Sequence, residues 1–293
     1  MRAVNVGTTI SLTTNAEAPA MLRLCPSDAP IEEESLTVMG PDGECKPATL
    51  VDDLVHTQLV DRVLLPAGRS TITYDAVVLF EDRADPAAPG ARAPRIDELT
   101  PREWWWLQPT RYCRPDLLGL EAWTRFGAGL GDNTSATWEH VQTICDTVSE
   151  SMKFRYGSST AFTTAAQAWD AKVGVCRDFN HIAVSFCRAL NIPARYVFGY
   201  IPDVDVPRNP APQDFCAWFE VLLDGEWWTM DARVNERRKG RIVVARGRDA
   251  ADIPMISNFG LITIDSFEVR ADEVPLVEAG LVEARLVEAR LAG

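Results

Sequence analysis

The strongest constraint on the fold is a change of hydrophobic period along the chain. Over the first 90 or so residues the larger side chains recur at every second position. Val4, Val6, Thr8, Ile10 and Leu12 do so, and Ile72, Tyr74, Ala76, Val78 and Phe80 repeat the pattern. Period two marks strands with one buried face, and Pro41-Asp42-Gly43 and Pro66-Ala67-Gly68 supply turns between them. Further on, Trp138, Val141, Ile144, Cys145, Val148 and Met152 recur at three- and four-residue steps, which predicts an amphipathic helix. Pro115 suits the first turn of an earlier helix that Gly127 or Gly129 would end. Thr164 and Gln167 form a capping box. Another helix is expected from Cys176 to Leu190, stopped by Asn191 and Pro193. From Tyr196 the strand pattern returns, interrupted by a proline-rich loop over 202–213.

Helices followed by antiparallel strands predict an α+β class. The chain is expected to divide at the proline- and alanine-rich segment Arg83–Pro94. A sandwich-like all-β domain (1–90) would precede an α+β domain (91–275), with a repetitive tail over 276–293. In that tail Leu-Val-Glu-Ala recurs every five residues. A five-residue step turns about 140° on a helix, so the leucines form no single stripe.

Composition narrows the function. With 29 basic and 42 acidic residues the net charge is −13, which repels phosphate backbones and anionic lipid, so neither nucleic acid nor a membrane surface is an expected partner. No apolar run reaches the roughly 20 residues of a membrane span, and Met1–Thr9 lacks a basic-then-apolar secretion layout. The seven cysteines, at 25, 45, 113, 145, 176, 187 and 216, are scattered and form no Cys-x-x-Cys pair. A reducing, cytoplasmic setting is expected, with thiols such as Cys145 and Cys187 used for packing.

Cys176 follows Gly174-Val175 at the start of a predicted helix. There exposed N–H groups and the helix dipole favour a thiolate, so the residue is either a nucleophile or a buried structural cysteine. A hairpin gives a second argument. If Asp224-Gly225 is a two-residue type I′ turn, Asp231 falls opposite Trp218, and Cys216, Trp218 and Asp231 share one face. With the Cys176 helix packed on that face, two thiols and a carboxylate converge. Asp178 is read as a first-turn carboxylate favoured by the dipole. Arg177 and Arg233 are open to an anionic substrate group or to nearby acids, and Trp218 is a candidate for substrate contact. Trp104-Trp105-Trp106, Trp227 and Trp228 are read as core or groove-wall residues. No metal or cofactor is expected, since two thiols and one carboxylate fall short of the four ligands of a structural zinc site.

The chain resembles the transglutaminase-like superfamily in its bacterial form with an N-terminal β-domain. The resemblance rests on Gly174-Val175-Cys176-Arg177-Asp178-Phe179, on Cys187 through Tyr196, and on Ala217-Trp218-Phe219-Glu220-Val221…Trp228…Asp231-Ala232-Arg233. It implies a papain-like core in which Cys176 is the nucleophile and Asp231 the acid that orients a histidine. The family's histidine precedes Ala-Trp, and that position here is Cys216. A thiol has neither the pKa nor the shuttle capacity of an imidazole near neutral pH. The other histidines are poor substitutes. His181 is about 140° around the helix from Cys176, His140 falls on the polar side of its helix, and His56 lies in the β-region.

Three functions follow from the resemblance and the exchange. The first is a Cys176 enzyme with a Cys176/Cys216/Asp231 centre that makes or breaks an amide or thioester bond. Its substrate would be a small-molecule or a peptide or protein acyl compound, and an incoming amine could act as base. The second is a binding module that keeps the fold, and the third a redox or metal role for Cys176 and Cys216. No oligomeric state is assigned.

Overall fold

The computed structural model describes residues 1–52, 58–131 and 135–276. The tail repeat beyond Leu276 and His56 lie outside the described residues. Seven strands come first: β1 (Arg2–Thr14), β2 (Ala18–Leu22), β3 (Ile31–Gly40), β4 (Gly43–Glu44), β5 (Ala48–Asp52), β6 (Gln58–Leu65) and β7 (Gly68–Phe80). Helices α1 (Pro101–Trp104), α2 (Pro115–Phe126) and α3 (Trp138–Ser151) follow, then β8 (Lys153–Phe154), α4 (Ala165–Ala171), β9 (Val173–Gly174) and α5 (Cys176–Ala189). The chain closes with β10 (Ala194–Tyr200), β11 (Cys216–Leu223), β12 (Glu226–Met230), β13 (Ile242–Gly247), β14 (Ile256–Asn258) and β15 (Ile262–Val274). Among the described residues no helix is long and apolar enough to cross a membrane.

Two sheets form the N-terminal part, ordered β15-β1-β7-β3-β4 and β14-β2-β6-β5. Their inward alternation builds a core from Val4, Val6, Ile10, Leu12, Leu22, Ile72 and Tyr74. The sequence places residues 256–274 with the α+β part, and here the structure differs. β14 pairs with β2 and β15 runs antiparallel to β1 along its length. Nothing local announces this, because a strand's partner is set by distant residues. The proline-rich segment is also more than a linker: Ala84 bridges Lys239, Arg92 bridges Thr137, and Asp85 N–H donates to the Arg238 carbonyl at 2.8 Å.

The second part is a four-stranded antiparallel sheet, β12-β11-β10-β13, with α5 against it and α2, α3 and α4 around α5. The hairpin forms as expected. Asp224 and Gly225 both have positive φ (49° and 81°), and Phe219 pairs with Met230. Phe219, Val221 and Leu223 therefore face α5, packing on Phe179, Ile182, Ala183 and Phe186.

Helix α5 is buried from Asp178 to Arg188, so each of its polar side chains needs a partner. Ser185 Oγ donates to the His181 carbonyl at 2.7 Å and accepts the Arg114 N–H at 3.1 Å. Arg188 donates to the carbonyls of Ala194, Gln108 and Arg248. Asn180 binds three places at once. Its Nδ2 donates to the carbonyls of Cys176 (2.9 Å) and Ala217 (2.8 Å), and its Oδ1 accepts the Ala232 N–H at 3.1 Å. One amide thus ties the first turn of α5 to the start of β11 and the end of β12. Asn180→Ala leaves these buried backbone groups short of partners and is expected to lower stability by about 1–3 kcal/mol, read from denaturant unfolding, whereas an unchanged midpoint would contradict this role.

Candidate active site

Cys176 is the first residue of α5, reached through a tight bend from β9. A Cβ on Gly174 would stand 2.7 Å from that of Asp178, so only glycine permits the approach. Asp178 Oδ2 accepts the Val175 N–H at 2.8 Å, filling the first-turn role expected of it. The Cys176 sulfur lies 4.0 Å from the Phe215 carbonyl oxygen, and Cys216 Sγ lies 3.7 Å from that of Asp214. Both thiols line one cavity of about 180 Å³, together with Phe154, Tyr156, Asp214 and Arg233. The loop before β11 forms an outer wall, held to β15 where the Gln213 side chain bonds the N–H and carbonyl of Ala271. A larger cavity, about 380 Å³, sits against Leu190 and Asn191 beyond the other end of α5 and contains neither thiol.

The face geometry departs from expectation. Cys216, Trp218 and Asp231 do share a side of the hairpin by register, but α5 packs on the opposite side, the one bearing Phe219 and Val221. The thiols meet because Cys176 at the helix tip reaches past the first residue of β11. Asp231 is turned to other work. Its Oδ1 accepts the N–H groups of Arg233 (2.9 Å) and Val234 (3.1 Å). Its Oδ2 pairs at 3.0 Å with Arg241, whose Nε reaches Asp85 Oδ2 at 2.7 Å. The side chains of Arg241, Asp231 and Asp85 are only 5%, 2% and 13% exposed. Asp231 lines a separate space of about 40 Å³ with Arg241, Asp85 and Cys145.

The remaining candidates separate in the same way. Arg233 is in the thiol cavity, its guanidinium 4.3 Å over the Phe154 ring. Arg177 is not among the cavity-lining residues; it donates to the Thr160 carbonyl at 2.9 Å and sits over Tyr112. Trp218 is wholly buried against Val197 and Val243, with Arg241 5.3 Å from its ring. Cys176, Cys216 and Arg233 are thus brought together, whereas Asp231, Trp218 and Arg177 lie outside the cavity wall.

Burial raises both thiols, Cys176 to about 11 and Cys216 to about 12. Arg233 pulls each down but does not offset the desolvation. A helix dipole contributes about 0.3–1 kcal/mol, less than one pKa unit, so it cannot reverse the order. Both sulfurs are protonated near neutral pH and remain free thiols. His181 offers no base. It is buried between Tyr112 and Tyr196, its Nε2 accepts the Ala250 N–H at 3.1 Å, and burial lowers its pKa to about 3. His140 caps α3, its Nδ1 accepting the Thr137 N–H. Among the described residues no group of three His, Cys, Asp or Glu side chains is placed to hold a metal ion.

Three residues that matter here were not singled out from sequence. Asp214 had a legible signal: it lies two positions before Cys216, on the same alternation. Asn180 had a weaker one, an amide amid apolar helix residues. Arg241 had none, because its partner Asp85 is 156 positions away.

A nucleophile-type cysteine at a helix tip, set against the leading end of an antiparallel hairpin, defines a papain-like arrangement. Residues 125–232 match the transglutaminase-like superfamily. A candidate cysteine protease from Cytophaga hutchinsonii is similar in structure (TM-score 0.76, 25% identity), over 94% of this chain and 91% of that one. The protein Rv2569c of Mycobacterium tuberculosis (strain ATCC 25618 / H37Rv) is 31% identical over 150 residues, 47% of this chain and 47% of its own length. ML0607 of Mycobacterium leprae (strain TN) is 34% identical over 87 residues, 27% of this chain and 29% of its own. The chain therefore spans about half the length, or less, of these mycobacterial relatives.

Two stability effects follow. Arg241→Leu strands two buried carboxylates and is expected to cost about 3–5 kcal/mol in denaturant unfolding; a loss below 1 kcal/mol would contradict the ion-pair assignment. His181, with a folded pKa of about 3 against an ordinary 6.5, binds its proton more readily when unfolded. Its contribution is complete above pH 6.5 and is lost toward pH 3, by roughly 1.4 kcal/mol per pH unit. Unfolding of the wild type and His181→Gln across pH 4–7 should diverge accordingly, with parallel curves counting against it.

Proposed function

We propose that this chain is a cysteine-dependent acyl-transfer enzyme acting through Cys176, with Cys216 standing in the family's histidine position. One observation supports it above the rest: the Cys176 sulfur, at the first residue of a buried helix, lines a cavity of about 180 Å³ instead of being sealed in the core. In the proposed reaction the sulfur bonds to an acyl carbon while the thiol proton leaves with the departing group. An amine or water then attacks the thioester, the carbon–sulfur bond breaks, and the sulfur regains a proton. With both thiols protonated, an incoming amine, a better nucleophile than water, favours transfer over hydrolysis. Cys216 and Asp231 shape the centre, the latter through its hold on the Arg233 and Val234 amides. A cysteine protease assignment of the Cytophaga relative supports the same class of thioester chemistry. The seven free thiols suit a reducing, cytoplasmic setting.

The pairing of Asp231 with Arg241 favours a second reading, a binding module that has given up proton shuttling. Incubation with p-nitrophenyl acetate, followed by peptide mass mapping, separates the two. The enzyme reading expects acetyl on Cys176, discharged by added amine and absent in Cys176→Ala. Acetylation no greater than at the partly exposed Cys45 supports the binding module. Because the thiol sits at about 11, the thiolate fraction and the alkylation rate at Cys176 should rise about tenfold per pH unit from 7 to 10. A plateau near pH 7 would reveal a base not assigned here.

A further inference from the structure

The thiol cavity carries an unusual charge arrangement. Four ionised groups reach it: Asp203, Asp214, Arg233 and Arg238. Arg238 is accounted for, donating to Asp203 at 3.1 Å and to the Pro202 carbonyl at 3.0 Å. Asp203 in turn accepts the Asn209 N–H at 2.8 Å. Arg233 and Asp214 are left. Among the described residues the Arg233 guanidinium makes no ion pair and no side-chain hydrogen bond, and only its face is used, against Phe154. Among the described residues the Asp214 side chain takes part in no ion pair and is held by the N–H of Phe215. Although the residue as a whole is exposed, its carboxylate is partly desolvated against the cavity wall, which raises its pKa. The two charges act on each other and on the Cys176 thiol, but they do not close to contact.

From this juxtaposition we propose that the cavity binds a small zwitterionic amino acid, its carboxylate on Arg233 and its ammonium on Asp214, beside the sulfur of Cys176. A guanidinium with free edge donors is the natural bidentate partner of a carboxylate, and a desolvated carboxylate is the natural partner of an ammonium. Either charge alone would be repelled by one of the two groups or leave the other unpaired. A phosphate would have a single free cation and a facing anion. Size agrees, since about 180 Å³ is below the roughly 300–1,000 Å³ typical of sites for drug-sized ligands. Val175, Ile201, Ala211 and Pro212 give the wall an apolar stretch beside the polar Asn209 and Gln213, which suits a short aliphatic side chain. The other titratable groups facing Asp214 are Tyr156, Cys176 and Cys216.

The site gives the acyl transfer its acceptor, and that onward step rests on the function proposed above. The bound ammonium gives one proton to the Asp214 carboxylate, and its nitrogen attacks the thioester carbon on Cys176. The carbon–nitrogen bond forms as the carbon–sulfur bond breaks. A second nitrogen proton passes to the sulfur, leaving an N-acyl amino acid, a protonated Asp214 and a free thiol. Asp214 would then be a catalytic residue supplying part of what the missing imidazole does.

Binding can be read without any reaction. Calorimetry on the full chain, with no acyl donor present, should detect L-alanine, with ethylamine and acetate each at least tenfold weaker. Arg233→Gln and Asp214→Asn should each weaken L-alanine at least tenfold, and L-alanine should slow alkylation of Cys176 at pH 9. Undetectable L-alanine binding, equal binding of ethylamine, or indifference to both variants would overturn the proposal. If L-alanine binds but Cys176 is never acylated, the site stands and the transfer function falls. If Cys176 is acylated but L-alanine neither binds nor discharges it, the reverse holds.

Discussion

The site depends on a helix that is taken out of water from Asp178 to Arg188. Helix α5 is buried along nearly its whole length, and burial of that kind is affordable only when every polar side chain finds a partner. Ser185 and Arg188 anchor it to neighbouring loops. Asn180 does something more specific, because its three bonds meet at the point where the helix tip, β11 and β12 converge. The relative position of the two cavity thiols is therefore set by one amide. Support from the Asn180, Ser185 and Arg188 bonds is what allows Cys176 to face a cavity without the helix end fraying.

Much of this was legible in the chain. Period-two and period-3.6 patterns report which face of an element is buried, and they marked β1, β7 and α3 because those elements bury one side; α5 was bounded instead by its stop residues Asn191 and Pro193. Asp224-Gly225 fixed the β11–β12 register through turn chemistry alone. What escaped was long-range. β15 joins β1 across more than 250 positions, and no local pattern encodes that partner. The packing side of α5 escaped for a related reason. Alternation says which residues share a face, but not which face the next element covers. Phe219 and Val221 against Cys216 and Trp218 could have decided it, since an amphipathic pair of faces puts its uniformly apolar side toward a helix.

The same distinction explains why Asp231 was assigned to the cavity and lies outside it. Motif spacing placed a carboxylate correctly on the hairpin, but its environment is made by Arg241 and Asp85, which the motif does not include. A family's acid position is a place on the backbone; its charge state and partner belong to this chain. Once a guanidinium holds Asp231 at 3.0 Å, the carboxylate is compensated and has no reason to orient a neighbour's proton.

On the proposed reading, a thiol at the histidine position and an acid held by a guanidinium go together. A family histidine needs an accepting carboxylate, and a carboxylate buried to 2% exposure without that histidine would need another cation. Arg241 supplies that cation. It follows that restoring an imidazole at position 216 would not by itself rebuild a relay: the new ring would have to compete with a guanidinium already bonded to both Asp231 and Asp85. In the proposed reaction, proton handling therefore falls to the side where charges are still uncommitted, and among the described lining residues that side is the one bearing Asp214 and Arg233.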